Sequence, residues 1–128
     1  MLYAHFRLHP YLSHVKEYTL RSALTRQRVS AHRLEVETGI WHKPRAIPYL
    51  HRKCIACNKL EDVFHFMLEC SLNKEIRKRF LKNTFRNIQI YQKLFSFFTS
   101  DNKELNINIA MFVQKSFELR NLCYCYYN

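Results

Sequence analysis

The amino-acid sequence predicts a mainly α-helical chain, a small helical domain organised around a Cys-Cys-His-Cys knuckle. Three observations lead there. Among 128 residues there is one glycine, Gly39, and three prolines, Pro10, Pro44 and Pro48, so turn-rich β architecture is disfavoured. Apolar residues recur at helical spacing through most of the chain. Between Arg52 and Ser71, Cys54 and Cys57 form a C-x2-C pair, with His65 and Cys70 following as H-x4-C.

Length and composition set the outer bounds. The chain has one domain's worth of residues, and its 48% hydrophobic and 15% aromatic content supports a real core rather than disorder. The expected order is an N-terminal segment at 1–13, a basic helical segment and Pro-containing connector at 14–53, the knuckle at 54–70, and C-terminal helices packing on it at 71–128. In the first segment Tyr3, Phe6 and Tyr11 are available to pack on later helices.

His14 to about Arg28 reads as one helix, with Leu20, Ala23, Leu24 and Gln27 on one side. Ser30 is a candidate N-cap for a shorter helix, Ala31 to Thr38, with Leu34 inward; one continuous helix from His14 to Thr38 is the alternative. Gly39 stands where a left-handed residue would stop it. Ile40 to Lys53 is a connector, because each proline keeps the preceding residue out of the helical region. Trp41, Ile47 and Leu50 are expected to tack it to the core. After the Cys57 turn a helix is expected over Glu61–Glu69, with Glu61 and Asp62 favoured in its first turn by the helix dipole. His65 would face the cysteines, with Phe64 and Leu68 on an apolar side. Asn73 is expected to cap Lys74 to about Thr84, with Ile76, Phe80 and Leu81 inward. Ile88 to Phe98 reads as another helix. Asn102 to about Leu122 is the last, with Leu105, Ile109, Phe112, Val113, Phe117 and Leu119 inward.

The knuckle carries the chemistry. Cysteines two apart turn tightly enough to put both thiolates on one cation, and a His and a Cys from the following turn close a tetrahedron. Zn²⁺ accepts three thiolates and one ring nitrogen at roughly 2.0–2.3 Å. Cys54, Cys57, His65 and Cys70 are therefore the candidate metal ligands. Four protein ligands leave no position for substrate, so the site reads as structural and the chain as no enzyme. Two alternatives stay open. A redox C-x2-C pair requires a strand–helix context that is not visible here. Plain core cysteines would make His65 a core histidine among Val63, Phe64, Phe66 and Met67.

The formal net charge is +11, which directs attention to polyanions and first to nucleic acid. Residues 1–53 carry ten Lys/Arg against three Asp/Glu, a net of +7; residues 54–128 carry eleven against seven, a net of +4. Candidate phosphate-binding residues are Arg26, Arg28, Arg33, Lys43, Arg45, Arg52, Lys53, Lys74, Arg77, Lys78 and Lys82. Trp41 and Tyr49 are candidates for base stacking or for core packing. The odd count of five cysteines fits a reducing, intracellular compartment, nucleus or cytoplasm, and not a disulfide framework. Neither a secretory signal nor a membrane span is expected.

The run Leu24 to Gly39, with Arg28, Ser30, His32, Leu34, Glu37 and Gly39 in register, resembles a segment near the C-terminus of non-LTR (LINE-like) retrotransposon reverse transcriptases. There it precedes a zinc-binding segment similar to Arg52–Cys70, including Glu61-Asp62 and His65-Phe66; Lys115 to Arg120 is similar to the end of such proteins. The resemblance spans about Tyr18 to Leu122. It departs in a short Cys57–His65 spacer and in Ser71, where a proline commonly follows the last cysteine. It implies a zinc module that holds RNA or target DNA, without the Asp-Asp polymerase motif or the endonuclease carboxylates of upstream domains. Two other functions remain in view: a structural or protein-interaction zinc domain that docks upstream reverse transcriptase domains, and an inactive element remnant.

Overall fold

The computed structural model describes residues 10–28, 34–81 and 102–127. Five α-helices appear in them: α1 Pro10–His14, α2 Tyr18–Arg28, α3 Glu35–Thr38, α4 Lys74–Leu81 and α5 Lys103–Tyr127. Short 3-10 turns form at Gly39–Trp41, Tyr49–His51 and Ser71–Asn73, and a π-helical turn at His65–Glu69. No strand occurs among the described residues; one isolated bridge pairs Lys53 with Leu60. The expected helix Ile88–Phe98 lies outside the described residues, as do Tyr3, Phe6, Ser30 and Ala31.

α5 is the spine, and α1, α2 and α4 pack along it. It is 25 residues long and is capped by Asn102, whose side-chain oxygen accepts the Leu105 N–H at 3.0 Å. Asn106, Ile109, Ala110, Val113, Ser116 and Arg120 are buried and recur every three or four residues, so one stripe of the helix faces the others. Phe112 is fully buried beside them, while Phe117 and Leu119 are half-buried. The same core takes in Tyr11, Val15, Leu20, Leu24, Leu34, Phe66, Met67 and Leu81. Burying each large apolar side chain contributes about 1.5–3 kcal/mol.

The helix expected from His14 to Arg28 starts at Tyr18, a separate helix α1 precedes it, and the continuous helix to Thr38 does not form. The chain breaks at Val15–Glu17, where the Arg21 Nη1 donates to both the Val15 and Lys16 carbonyls at 3.3 Å. The break lets α1 dock separately. Tyr11 shares a hydrogen bond with Thr25 at 3.0 Å, and His14 Nδ1 lies 3.0 Å from the Asn106 amide on α5.

Gly39 is not the left-handed stop read from the sequence. Its φ is −60°, ordinary right-handed backbone. The reason for glycine is space. A Cβ there would fall 2.7 Å from Cγ and Cδ of Arg52. Arg52 cannot swing aside freely, because its Nε donates to the Ile47 carbonyl at 2.8 Å and its Nη1 to the Val36 carbonyl at 2.9 Å. Gly39→Ala is therefore expected to lose about 1–3 kcal/mol through overpacking. Urea unfolding of both proteins measures it, and an unchanged midpoint would contradict the steric reading.

The connector also departs from expectation. Trp41 is 79% exposed and Leu50 75% exposed, so neither tacks it to the core; only Ile47 is half-buried. Backbone bonds and Arg52 hold the loop in place of apolar anchors, with the Ile47 N–H donating to the Gly39 carbonyl at 2.9 Å.

Candidate metal centre

The first two ligands sit on a tight loop. The Cys54 N–H donates to the Lys59 carbonyl at 2.8 Å, and the Asn58 N–H to the Cys54 carbonyl at 2.9 Å. Asn58 takes the left-handed conformation, φ 54°, that closes the turn, a geometry Asn tolerates better than most residues. Both sulfurs then point to one side.

The third and fourth ligands come from an unusual helical turn. The helix begins at Val63 and not at Glu61. Asp62 is its N-cap: Oδ1 accepts the His65 N–H at 2.7 Å, which fixes the backbone of the ligand itself. From His65 the turn widens to π geometry, and the Cys70 N–H donates to the His65 carbonyl at 2.7 Å. This solves a spacing problem. Residues five apart in an α-helix project about 140° apart, so H-x4-C could not converge on one ion. A π turn hydrogen-bonds i to i+5 and brings them together. The turn also changes the buried set: His65, Phe66 and Met67 go inward, while Phe64 and Leu68 are half-buried.

The four side chains converge as expected. One ligand atom from each of Cys54, Cys57, His65 and Cys70 lies within 4.8 Å of every other. The Cys54 and Cys57 sulfurs stand 3.8 and 3.9 Å from that of Cys70. A tetrahedral ion with metal–sulfur bonds of about 2.3 Å requires sulfur–sulfur edges of about 3.8 Å. A disulfide would require about 2.05 Å, and all three cysteines are free thiols. His65 is buried, neither ring nitrogen makes an ordinary hydrogen bond, and Glu69 Oε2 lies 3.7 Å from Nδ1. An imidazole so weakly partnered beside three sulfurs is costly alone and satisfied by a cation. The group can hold a metal ion.

The surrounding residues orient these ligands. Ser71 gives Cys57 two contacts, its hydroxyl at 3.1 Å and its N–H at 3.4 Å. Arg77 donates from Nε to the Met67 carbonyl at 2.8 Å and from Nη2 to the Cys70 carbonyl at 3.1 Å, and Asn73 Nδ2 donates to the Phe66 carbonyl at 3.2 Å. Together they satisfy carbonyls that the π turn leaves open. Asn73 is thus a tie to the π turn, and its Oδ1 makes no cap bond to α4. Phe66 stacks on Phe117 with centroids 4.5 Å apart and meets Phe112 edge-on at 5.9 Å, which fastens the centre to α5.

Protonation follows from this crowding. The hydrogen bond with Cys70, aided by burial, pushes the Cys54 thiol up to about 12, and the same bond holds Cys70 below the usual thiol value. Burial works to raise Cys57, but both Ser71 hydrogen bonds oppose it and the net direction is down. The Cys54 sulfur raises the His65 imidazole above its ordinary value despite burial. A metal must therefore displace the proton from Cys54, and the raised His65 adds competition as pH falls. Proton competition at Cys54 already weakens binding at neutral pH, and affinity should fall further as pH drops. Calorimetric titration with Zn²⁺ in buffers of different ionisation enthalpy should show proton release at neutral pH; none would contradict this protonation pattern.

Ser71 gives a separate test. Ser71→Ala removes one contact to Cys57 and Ser71→Pro removes both. Zinc affinity is expected to fall about 10- to 100-fold, with proline the weaker binder; competition with a chromogenic chelator reads it, and equal affinities would remove Ser71 from the site.

The basic residues divide. Arg26, Lys43, Arg45, Lys53, Lys74 and Lys78 are exposed, the last 3.4 Å from Glu75. Arg52 and Arg77 are not surface cations. Both are half-buried and direct two N–H groups each at backbone carbonyls, which gives each a structural role in holding the loop or the π turn. Arg33, Lys82 and the Arg28 side chain lie outside the described residues. A role for Ser71 was signalled only by its position after Cys70; the roles of Asp62, Arg52 and Arg77 carried no signal separable from ordinary helix charge. Among the described residues, no helix is long and apolar enough to cross a membrane. Comparison with protein-family models, with curated proteins and with solved structures finds no match.

Proposed function

We propose that this chain is a non-catalytic zinc module that holds nucleic acid through exposed cations set around the knuckle. Zn²⁺ is the ion favoured by three thiolates and an imidazole at tetrahedral spacing. Its role is structural, because all four positions are taken by protein.

The charge around the centre carries the reading. From Thr38 to Leu60 there is no Asp or Glu, while Lys43, Arg45, Arg52, Lys53 and Lys59 supply five cations. Lys53 and Lys59 are exposed on the loop that carries Cys54 and Cys57, and Lys43 and Arg45 are exposed on the connector that leads into it. Such a surface suits phosphates, whose contacts are largely independent of sequence and weaken steeply with salt. The resemblance of Arg52–Cys70 to the C-terminal zinc segment of non-LTR reverse transcriptases supports the same reading and suggests RNA or target DNA as the polyanion.

The test is a titration of zinc-loaded protein with a fluorescent RNA single strand across a salt series. One zinc per chain and a steep salt slope are expected. Replacing Lys43, Arg45 and Lys53 together by glutamine should flatten the slope by about 2, at roughly 0.7 per single-strand phosphate contact. Salt-insensitive binding, or none, would discard the proposal. Apolar dimerisation would favour a protein-docking domain, the reading that the exposed Ile40, Trp41 and Leu50 support.

A further inference from the structure

The loop between α3 and the knuckle carries an unexplained surface. Trp41 is 79% exposed, Leu50 75% and Tyr49 51%. Large rings are usually at least half sheltered, so an exposed group of them marks a contact surface. The loop is not loosely held. The Ile47 N–H bonds to the Gly39 carbonyl, Arg52 bridges Ile47 and Val36, and the Glu61 N–H bonds back to the Arg52 carbonyl at 2.9 Å. The Arg52 guanidinium lies over one face of Tyr49, 5.6 Å from its centroid. The rings are thus presented on a braced frame, which lowers the ordering cost of any contact they make.

We infer that Trp41, with Tyr49 exposed on the same connector, is a stacking platform for the bases of single-stranded nucleic acid, and that Lys43, Arg45 and Lys53 hold the strand's phosphates. This rests on the nucleic-acid reading above and adds which strand form is preferred and which residue selects it. Paired bases in a duplex hide their faces; unpaired bases offer them, and aromatic side chains take any base in this way. The absence of any carboxylate between Thr38 and Leu60 favours a polyanion over a protein surface of mixed charge. The rings stand on short 3-10 turns and not on an amphipathic helix, which disfavours a lipid surface.

Trp41 is the chain's single tryptophan, so its fluorescence reports this site alone. Full-length zinc-loaded protein is titrated at low salt with oligo(dT), with a mixed-sequence RNA strand, with duplex DNA and with phosphatidylserine vesicles. Single strands are expected to quench Trp41 strongly and duplex weakly. By anisotropy of labelled strands, Trp41→Ala should bind single strands about 5- to 150-fold more weakly and duplex almost unchanged, while Trp41→Phe retains most of the affinity. Thermal melts confirm that both variants fold. Unchanged single-strand affinity in Trp41→Ala, equal loss on duplex, a Trp41 blue shift with vesicles but no response to oligonucleotides, or self-association that buries Trp41 overturns the platform. Salt-dependent strand binding with silent Trp41 overturns the platform alone. No binding to any polynucleotide overturns the parent reading with it.

Discussion

Cys70→Ala is expected to unfold the knuckle at neutral pH and to abolish stoichiometric zinc binding. Cys70 is 3% exposed, stands 3.8 and 3.9 Å from the other two sulfurs, and ends the turn that begins at His65. Its loss removes one of the four ligands and leaves three that cannot close a tetrahedron. Structural zinc sites contribute apparent free energies of about 10–16 kcal/mol at neutral pH, whereas domains are stable by only about 5–15 kcal/mol. Chelation of the parent protein should have the same effect. Thermal unfolding followed by circular dichroism, with and without chelator, compares the three samples. A Cys70→Ala protein that melts with the zinc-loaded parent would dismiss a structural metal.

A buried ionic knot should give the second large effect. Glu61 is 2% exposed and Arg120 5% exposed, although they lie 59 positions apart in the chain. The Arg120 Nε donates to Glu61 Oε1 at 3.0 Å, its Nη2 makes a second bond to the same oxygen, and Glu35 lies 3.8 Å from that nitrogen. Glu61 also receives the Glu35 N–H at 2.9 Å on its carboxylate and the Val36 N–H at 3.3 Å on its carbonyl. One residue thus caps α3, pairs with α5 and enters the knuckle. Arg120→Met leaves a buried carboxylate uncompensated, which costs about 3–5 kcal/mol. Arg120→Met combined with Glu61→Gln should cost less than the two single changes together, because neither charge is then stranded. Chemical denaturation of the four proteins closes the cycle. Single variants within about 1 kcal/mol of the parent would show that the knot is not a stability element.

These two cases differ in how much the sequence discloses. The ligands were readable because metal coordination is a local demand: C-x2-C and H-x4-C must occur as short spacings, and their residue types do little else together. The inward faces of α2, α4 and α5 were readable for a similar reason, since Leu24, Leu81, Ile109 and Val113 recur with the helical period. Arg120 sits on the same stripe as Ile109 and Val113, yet nothing local marks it as buried. Its partner is 59 positions away.

The connector shows the opposite failure. Trp41 and Leu50 looked like core anchors because large apolar side chains usually are, but Arg52 does the anchoring through hydrogen bonds to Val36 and Ile47. Arg77 in turn looked like one more member of a basic stripe, while its fork closes the carbonyl end of the π turn. A long cationic side chain reads the same in sequence whether it meets solvent or a distant carbonyl.

By itself the sequence determined the helical character, the four convergent ligands and the excess of positive charge, because each follows from residue type and short-range spacing. Only the tertiary structure decided the π turn at His65–Glu69, the two contacts of Ser71 with Cys57, the burial of Arg120 and the exposure of Trp41. Each of these depends on which distant backbone or side-chain group is available to satisfy a charge, a hydrogen bond or an apolar surface, and that is settled only when the elements pack.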